Sequence, residues 1–150
     1  MQIVGQFQFD GVAAEALWQF LTDANRIAEC LPGCEQLTHT GDGSYNMQMS
    51  IGIGAIRGVF SGQIRLHDLN PTSEYQMTVT GKGAPGFVKG EGRVRLTVSE
   101  AGTLLDYSGD VNAGGAIASV GQRMIGGAAR MVIDRYFKCV TEKLRLEKSQ

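Results

Sequence analysis

From Tyr45 to Val111 the chain alternates apolar and polar residues with few breaks, and this two-residue period limits the possible folds more than any other feature. Tyr45, Met47, Met49, Ile51 and Ile53 share one face, opposite Asn46, Gln48, Ser50 and Gly52. Ile56, Gly58, Phe60, Gly62, Ile64 and Leu66 follow, against Arg57, Ser61, Gln63, Arg65 and His67. Tyr75, Met77 and Val79 continue the apolar face. Next come Val88, Gly90, Gly92, Val94, Leu96 and Val98, opposite Lys89, Glu91, Arg93 and Arg95, and finally Leu105, Tyr107, Gly109 and Val111. Successive strand side chains point to opposite sides, so this series builds an antiparallel sheet with one dry and one wet face. Gly41-Asp42-Gly43, Asn70 to Ser73, Ala84-Pro85-Gly86 and Glu100-Ala101-Gly102 supply the turns.

The flanks are helical apart from a first strand at Gln2 to Phe9, whose Ile3, Gly5, Phe7 and Phe9 share a face. Ala13 to Leu21 carries Ala14, Leu17, Trp18 and Leu21 at helical spacing, and a second short helix, Ala24 to Glu29, ends before Pro32. Ala116 to Leu146 reads as one helix of about 30 residues, on the order of 45 Å long. Its apolar positions include Ile117, Val120, Met124, Ala128, Met131, Val132, Phe137, Val140 and Leu144; Gly121, Gly126 and Gly127 interrupt it, with a soft point expected near Gly126. A dry sheet face needs a cover, and this helix is the large apolar element left to supply it. The expected architecture is α+β: a curved antiparallel sheet of about seven strands wrapped around a long C-terminal helix, with two short helices after the first strand. At 150 residues, 1–150 is expected to form a single domain.

Several function classes find no support. A net charge of -1 gives no electrostatic footprint for nucleic acid. No run approaches the roughly 20 apolar residues that span a bilayer, and Met1 to Gly5 lacks a leader's basic start, so a cytoplasmic location is expected. Cys30, Cys34 and Cys139 are an odd number with no second ligand pair at zinc-finger spacing. Neither an inter-cysteine bridge nor a metal is therefore expected. His39 and His67 are expected to face solvent near strand ends, with no histidine–carboxylate pair suggested by spacing and no nucleophile motif beside them. Asp106 and Asp110 fall on the wet face. Gly81-x-Gly83-x-x-Gly86 has the letters of a dinucleotide fingerprint but precedes a strand rather than a helix. No catalytic residue is assigned.

The 21 glycines point to something specific about the interior. Gly5, Gly58, Gly62, Gly90, Gly92 and Gly109 lie on the expected inner face, opposite Ala118, Gly121, Gly127 and Ala128 of the last helix. Small residues on both sides either permit curvature and close packing or leave a space; both readings stand at this point. Met47, Met49, Met77, Met124 and Met131 are also expected to face inward, and methionine suits irregular gaps and adaptable walls. The candidate wall of an apolar cavity is therefore Met47, Met49, Phe60, Tyr75, Met77, Tyr107, Met124, Ala128 and Met131.

The order of elements resembles the START-like helix-grip superfamily. Three features resemble, more narrowly, the CoxG family of carbon monoxide dehydrogenase: Ala16-Leu17-Trp18 with Asp23, the Leu31-Pro32-Gly33-Cys34 corner, and the glycines from Gly121 to Gly127. The resemblance implies a non-catalytic accessory protein of a molybdenum-containing carbon monoxide dehydrogenase or related hydroxylase. It would hold menaquinone or another isoprenoid lipid, with no covalent cofactor, and couple that enzyme to the membrane quinone pool. Peripheral contact with the inner face of the membrane is implied as well. Two alternatives remain: an assembly partner without a ligand, and a START-like aromatase/cyclase-type enzyme drawing phenols from Tyr45, Tyr75 and Tyr107.

Overall fold

In the computed structural model, residues 1–148 are described. The order is β1 (Gln2–Asp10), α1 (Ala14–Thr22), α2 (Ala24–Cys30), β2 (Cys34–Gly41), β3 (Ser44–Ile53), β4 (Ile56–Asn70), β5 (Glu74–Gly83), β6 (Gly86–Ser99), β7 (Gly102–Gly114), a 3-10 segment (Gly115–Val120) and α3 (Gln122–Lys148). The strands form one antiparallel sheet ordered β1-β7-β6-β5-β4-β3-β2. The alternation thus delivers the expected helix-grip arrangement, with the apolar side of the sheet turned toward the helices. β2 is the strand that periodicity does not reveal. Only Cys34 and Leu37 on it are even partly buried, so it carries no inner-face pattern.

Local chemistry sets the corners. Asp23 ends α1 and opens α2, its carboxylate accepting the Asn25 N–H at 2.9 Å. The Leu31-Pro32-Gly33-Cys34 turn then lays the chain on β3: Ser50 N–H donates to the Gly33 carbonyl at 2.8 Å. Gly33 has φ +77°, and a Cβ there would strike the Ser50 carbonyl oxygen, so this corner admits only glycine. The Thr103 hydroxyl, fully buried, donates to the Val12 carbonyl at 2.7 Å and pins the start of the helical layer.

The C-terminal element departs from the expected single helix. Ala116 to Val120 coil as a 3-10 segment; Gly121 stops it at φ +93°, ψ +154°, and α3 starts at Gln122. The joint therefore lies at Gly121 and not near Gly126, which is buried with the Met1 thioether over it.

The cysteines also correct the expectation of free thiols. Cys30 of α2 and Cys139 of α3 form a disulfide with Cα atoms 5.5 Å apart, and Cys34 stays free. Their sequence separation of 109 hides the pairing from local spacing. Beside it, the Arg26 guanidinium pairs with Glu147, which raises the Arg26 pKa.

Candidate functional site

The interior divides into two closed clusters. The larger joins Phe9, Leu17, Trp18, Phe20, Leu21, Tyr45, Met47, Met49, Ile64, Leu66, Tyr75, Val94, Leu96 and Leu105 to Phe137 and Val140 of α3. The smaller holds Ile56, Phe60, Ile117 and Ala128. A belt of partly buried residues adjoins them: Met77, Val79 and Tyr107 on the sheet and Ile133 and Tyr136 on α3 pack against the larger cluster, with Val111 and Val132 partly buried beside them. The backbone of α3 comes near β1, α1, α2 and the 3-10 segment, while its side chains reach Phe60 of β4 and Tyr107 of β7. Side chains on the same face as a core are ordinarily as buried as that core. The belt is therefore the part of the inward-facing side that is less completely covered than the two clusters.

The inner-face glycines mostly serve close packing. A Cβ at Gly62 would collide with the Thr80 carbonyl, one at Gly83 with Val59, and one at Gly109 would sit 2.7 Å from the Glu91 carbonyl. These positions serve close strand coiling. Gly90 differs: its Cβ would make ordinary contacts, 3.7 Å from the Asp110 carbonyl oxygen and 3.8 Å from Val111, so a side chain fits there without a clash. On the helix, Ala118, Gly121 and Gly127 are exposed, and Ala128 alone of the four expected small residues turns inward.

Of the nine expected wall residues, seven face the interior. Met47, Met49 and Tyr75 belong to the larger cluster, Phe60 and Ala128 to the smaller, and Met77 and Tyr107 to the belt. Met124 and Met131 do not: they are 44% and 40% exposed. They sit two turns apart on the side of α3 opposite Ile125, Ala129, Val132, Ile133 and Tyr136, which are the residues repeating at the inward helical spacing. The expectation failed because a single helix from Ala116 was assumed, with every apolar residue on one stripe.

The tyrosines behave in four ways. Tyr45 donates its hydroxyl to the Thr22 carbonyl at 3.2 Å. Tyr107 lies across Gly5, its directly paired neighbour on β1, and packs on Phe137 with ring centroids 5.8 Å apart. Tyr75 meets Trp18 edge-on at 5.5 Å, and Tyr136 reaches the same interior from α3. Burial pushes the phenols of Tyr75 and Tyr136 far above the ordinary tyrosine range, and the proximity of Tyr75 adds to this at Tyr136. Neither hydroxyl hydrogen-bonds to another described residue, and among the described residues no fully enclosed side-chain polar atom lacks a partner. These two phenols are thus polar groups facing room. Tyr136 is the residue that sequence reading missed; the 125–129–132–136 spacing is the signal that carries it.

Other groups lie away from the belt. Open concavities of about 440 and 530 Å³ flank the C-terminal half of α3: one between Phe7, Thr141 and Leu146, the other between Ala16, Phe20 and Leu144. None of the nine expected residues lines either. His39 is exposed and stacks on Tyr45 at 5.2 Å. His67, contrary to expectation, has a carboxylate partner: Nδ1 is 2.6 Å from Asp68 Oδ2, and Nε2 is 3.2 Å from the Thr78 hydroxyl. A bulge between His67 and Asn70 produces this pair on the outer face of the sheet. Gly81, Gly83 and Gly86 fall in the β5–β6 hairpin.

The architecture recurs among solved structures. A conserved protein from Geobacillus kaustophilus matches with TM-score 0.92 and 32% identity, over 97% of this chain and 95% of that one. A protein from Chromobacterium violaceum matches with TM-score 0.74 and 13% identity, over 95% and 96%. The di-domain ARO/CYC StfQ from the steffimycin biosynthetic pathway matches with TM-score 0.72 and 9% identity, over 99% of this chain and 52% of that one, a likeness of fold alone. No curated protein matches the sequence. The model of one family, CoxG of carbon monoxide dehydrogenase, fits residues 5–145. With its helix-grip fold, its Gly33 corner and that match, the chain belongs to the carbon monoxide dehydrogenase CoxG family.

Proposed function

We propose that this chain binds an elongated apolar molecule, a quinone with an isoprenoid tail such as menaquinone, in the belt between the sheet and α3. In that role it serves as a non-catalytic accessory partner of a molybdenum hydroxylase of the carbon monoxide dehydrogenase type. The observation that carries the reading is the half-buried belt beside the closed clusters, with room for a side chain at Gly90 and with two hydroxyls, Tyr75 on the sheet and Tyr136 on α3, without protein partners. Met77, Val79, Val132 and Ile133 supply apolar area, at about 25 cal/mol per Å² removed from water before association costs. A phenol donates to a quinone carbonyl and fixes one end of the ligand, while the walls stay non-directional. Family membership supports the hydroxylase as the partner.

Gly90→Phe tests the reading, because it adds a ring to the inner face at a position where a Cβ meets no clash. Menaquinone binding, followed by quenching of Trp18, is expected to vanish in this variant while thermal unfolding stays cooperative. Unchanged binding in Gly90→Phe, or no binding by the parent chain, would overturn it; the second result leaves an assembly role as the better account.

A further inference from the structure

Stability alone does not account for a single bridge in this chain. Domains too small to build a sufficient core are the ones that rely on disulfides, and they carry several. This chain closes two apolar clusters within 150 residues, and Phe137 and Val140 seat α3 in the larger one by packing. The bridge lies where a thiol reaches it. It joins the last residue of α2 to the C-terminal half of α3; Cys30 is buried, whereas Cys139 is only half-buried. Arg135 and Lys143 stand one helical turn before and after Cys139, both exposed. Among the described residues neither of them pairs with a carboxylate. From 135 to 143 the one acid is Glu142, against Arg135, Lys138 and Lys143, of which Lys138 pairs with Asp134. Cations at this spacing draw in an attacking thiolate and stabilise the Cys139 thiolate when it leaves.

The third cysteine does not open the bridge from within. The Cys34 thiol donates to the Gln36 carbonyl at 3.6 Å, and burial pushes its pKa up, so little of it is thiolate. Opening must come from outside, and it unties α2 from α3. What then holds the end of α3 is the packing of Phe137 and Val140 together with two exposed polar contacts. These are the Arg26–Glu147 pair and the Lys148 ammonium donating to the Gly11 carbonyl at 3.1 Å. Exposed pairs of this kind contribute little on their own. Tyr136, the belt residue that sequence reading missed, sits one turn before Cys139, so slack at the bridge reaches the belt.

We infer that the Cys30–Cys139 bridge is a site of thiol–disulfide exchange with a dithiol reductant, and that its opening loosens α3 beside the belt. One thiolate of the dithiol attacks Cys139 Sγ; the Cys30–Cys139 bond breaks, and Cys30 leaves as a thiolate and takes up a proton. The second sulfur of the dithiol then attacks the mixed disulfide and releases Cys139 as a thiol. Two electrons pass to the bridge, and the dithiol departs as a disulfide. The loosening needs no ligand; only its consequence for ligand release rests on the proposed binding. The test treats the folded, ligand-free chain with reduced thioredoxin as the protein dithiol, then quenches in acid, unfolds the chain and counts free thiols by alkylation and mass. The count is expected to rise from one to three without denaturant. Amide hydrogen exchange from Tyr136 to Leu144 is expected to rise about tenfold or more on reduction, with β4 to β6 unchanged. Cys139→Ser is expected to show the faster exchange with or without reductant, and Cys34→Ser to respond like the parent. A bridge that opens only after the chain is unfolded in urea overturns the proposal. So does reduction that leaves exchange in α3 unchanged, a result that the parent gives even if Cys139→Ser fails to fold. Menaquinone is expected to leave the reduced chain several-fold faster than the oxidised one. No menaquinone binding by the oxidised parent, with exchange in α3 still accelerated by reduction, would overturn only the ligand reading.

Discussion

The two halves of α3 are held to the rest of the molecule by different means. Its C-terminal half is fixed in depth: Phe137 packs on Phe7, Phe9 and Tyr107, Val140 is fully buried, the Cys139 bridge ties it to α2, and Glu147 pairs with Arg26. Its N-terminal half follows a glycine joint and turns in Ala128, a residue with almost no side chain to interlock, toward Ile56, Phe60 and Ile117. Sequence hydrophobicity does not separate the halves, since Met124 and Met131 are as apolar as the residues that anchor the other end. The difference teaches that orientation and volume, more than apolar character, decide which half is anchored and which half is loosely held.

Breaking the anchored half should have the largest effect. Phe137→Ala is expected to cost about 3–5 kcal/mol in urea unfolding, because it removes a ring from a closed aromatic cluster. Cys139→Ser comes next, at about 2–5 kcal/mol under oxidising conditions, since the bridge closes a very long loop in the unfolded chain. A strong reductant should bring the parent to the same midpoint and leave the variant unmoved. If the variant matched the oxidised parent, α3 would be anchored by packing alone.

The seam between the halves carries a pH signature. The folded-state pKa values of Tyr75 and Tyr136 are raised by burial, so the folded chain keeps protons that the unfolded chain loses above about pH 10. Their contribution is intact below that pH and falls as pH rises through and beyond it, by up to about 1.4 kcal/mol per pH unit for each tyrosine. Tyr136→Phe should remove one of the two contributions, visible as a shallower alkaline loss of stability in urea titrations. The smallest effect belongs to the exposed methionines: Met124→Ser and Met131→Ser should each change stability by less than about 0.5 kcal/mol. A larger loss would mean that they are packed against something after all.

Most of the sheet was legible because alternation is local. Tyr45 to Ile53 and Ile56 to Leu66 show in sequence which residues face in, and the structure keeps both sets. β2 was not legible, since an edge strand with two partly buried residues has no pattern to read. The Cys30–Cys139 pair depends on where two helices meet after folding, and the His67–Asp68 pair depends on a bulge. The site was legible on the strands and less so on the helix. Strand period is fixed at two, whereas a break at Gly121 resets the phase of every residue after it. The reset detaches Ile117 and Val120 from the stripe of α3; within α3, Met124 and Met131 look inward because they are apolar, although their spacing to Val132, Ile133 and Tyr136 puts them on another side.

Those methionines also provide the most direct test of the proposed binding in the belt. With the methionine methyl groups labelled with carbon-13, menaquinone titrated into the full chain in detergent reports on Met47, Met49, Met77, Met124 and Met131 separately. Binding in the belt predicts a large shift at Met77, smaller shifts at Met47 and Met49 on the wall of the adjoining cluster, and no change at Met124 or Met131. Shifts at Met124 and Met131 with Met77 silent, or no shift anywhere at saturating menaquinone, would contradict it.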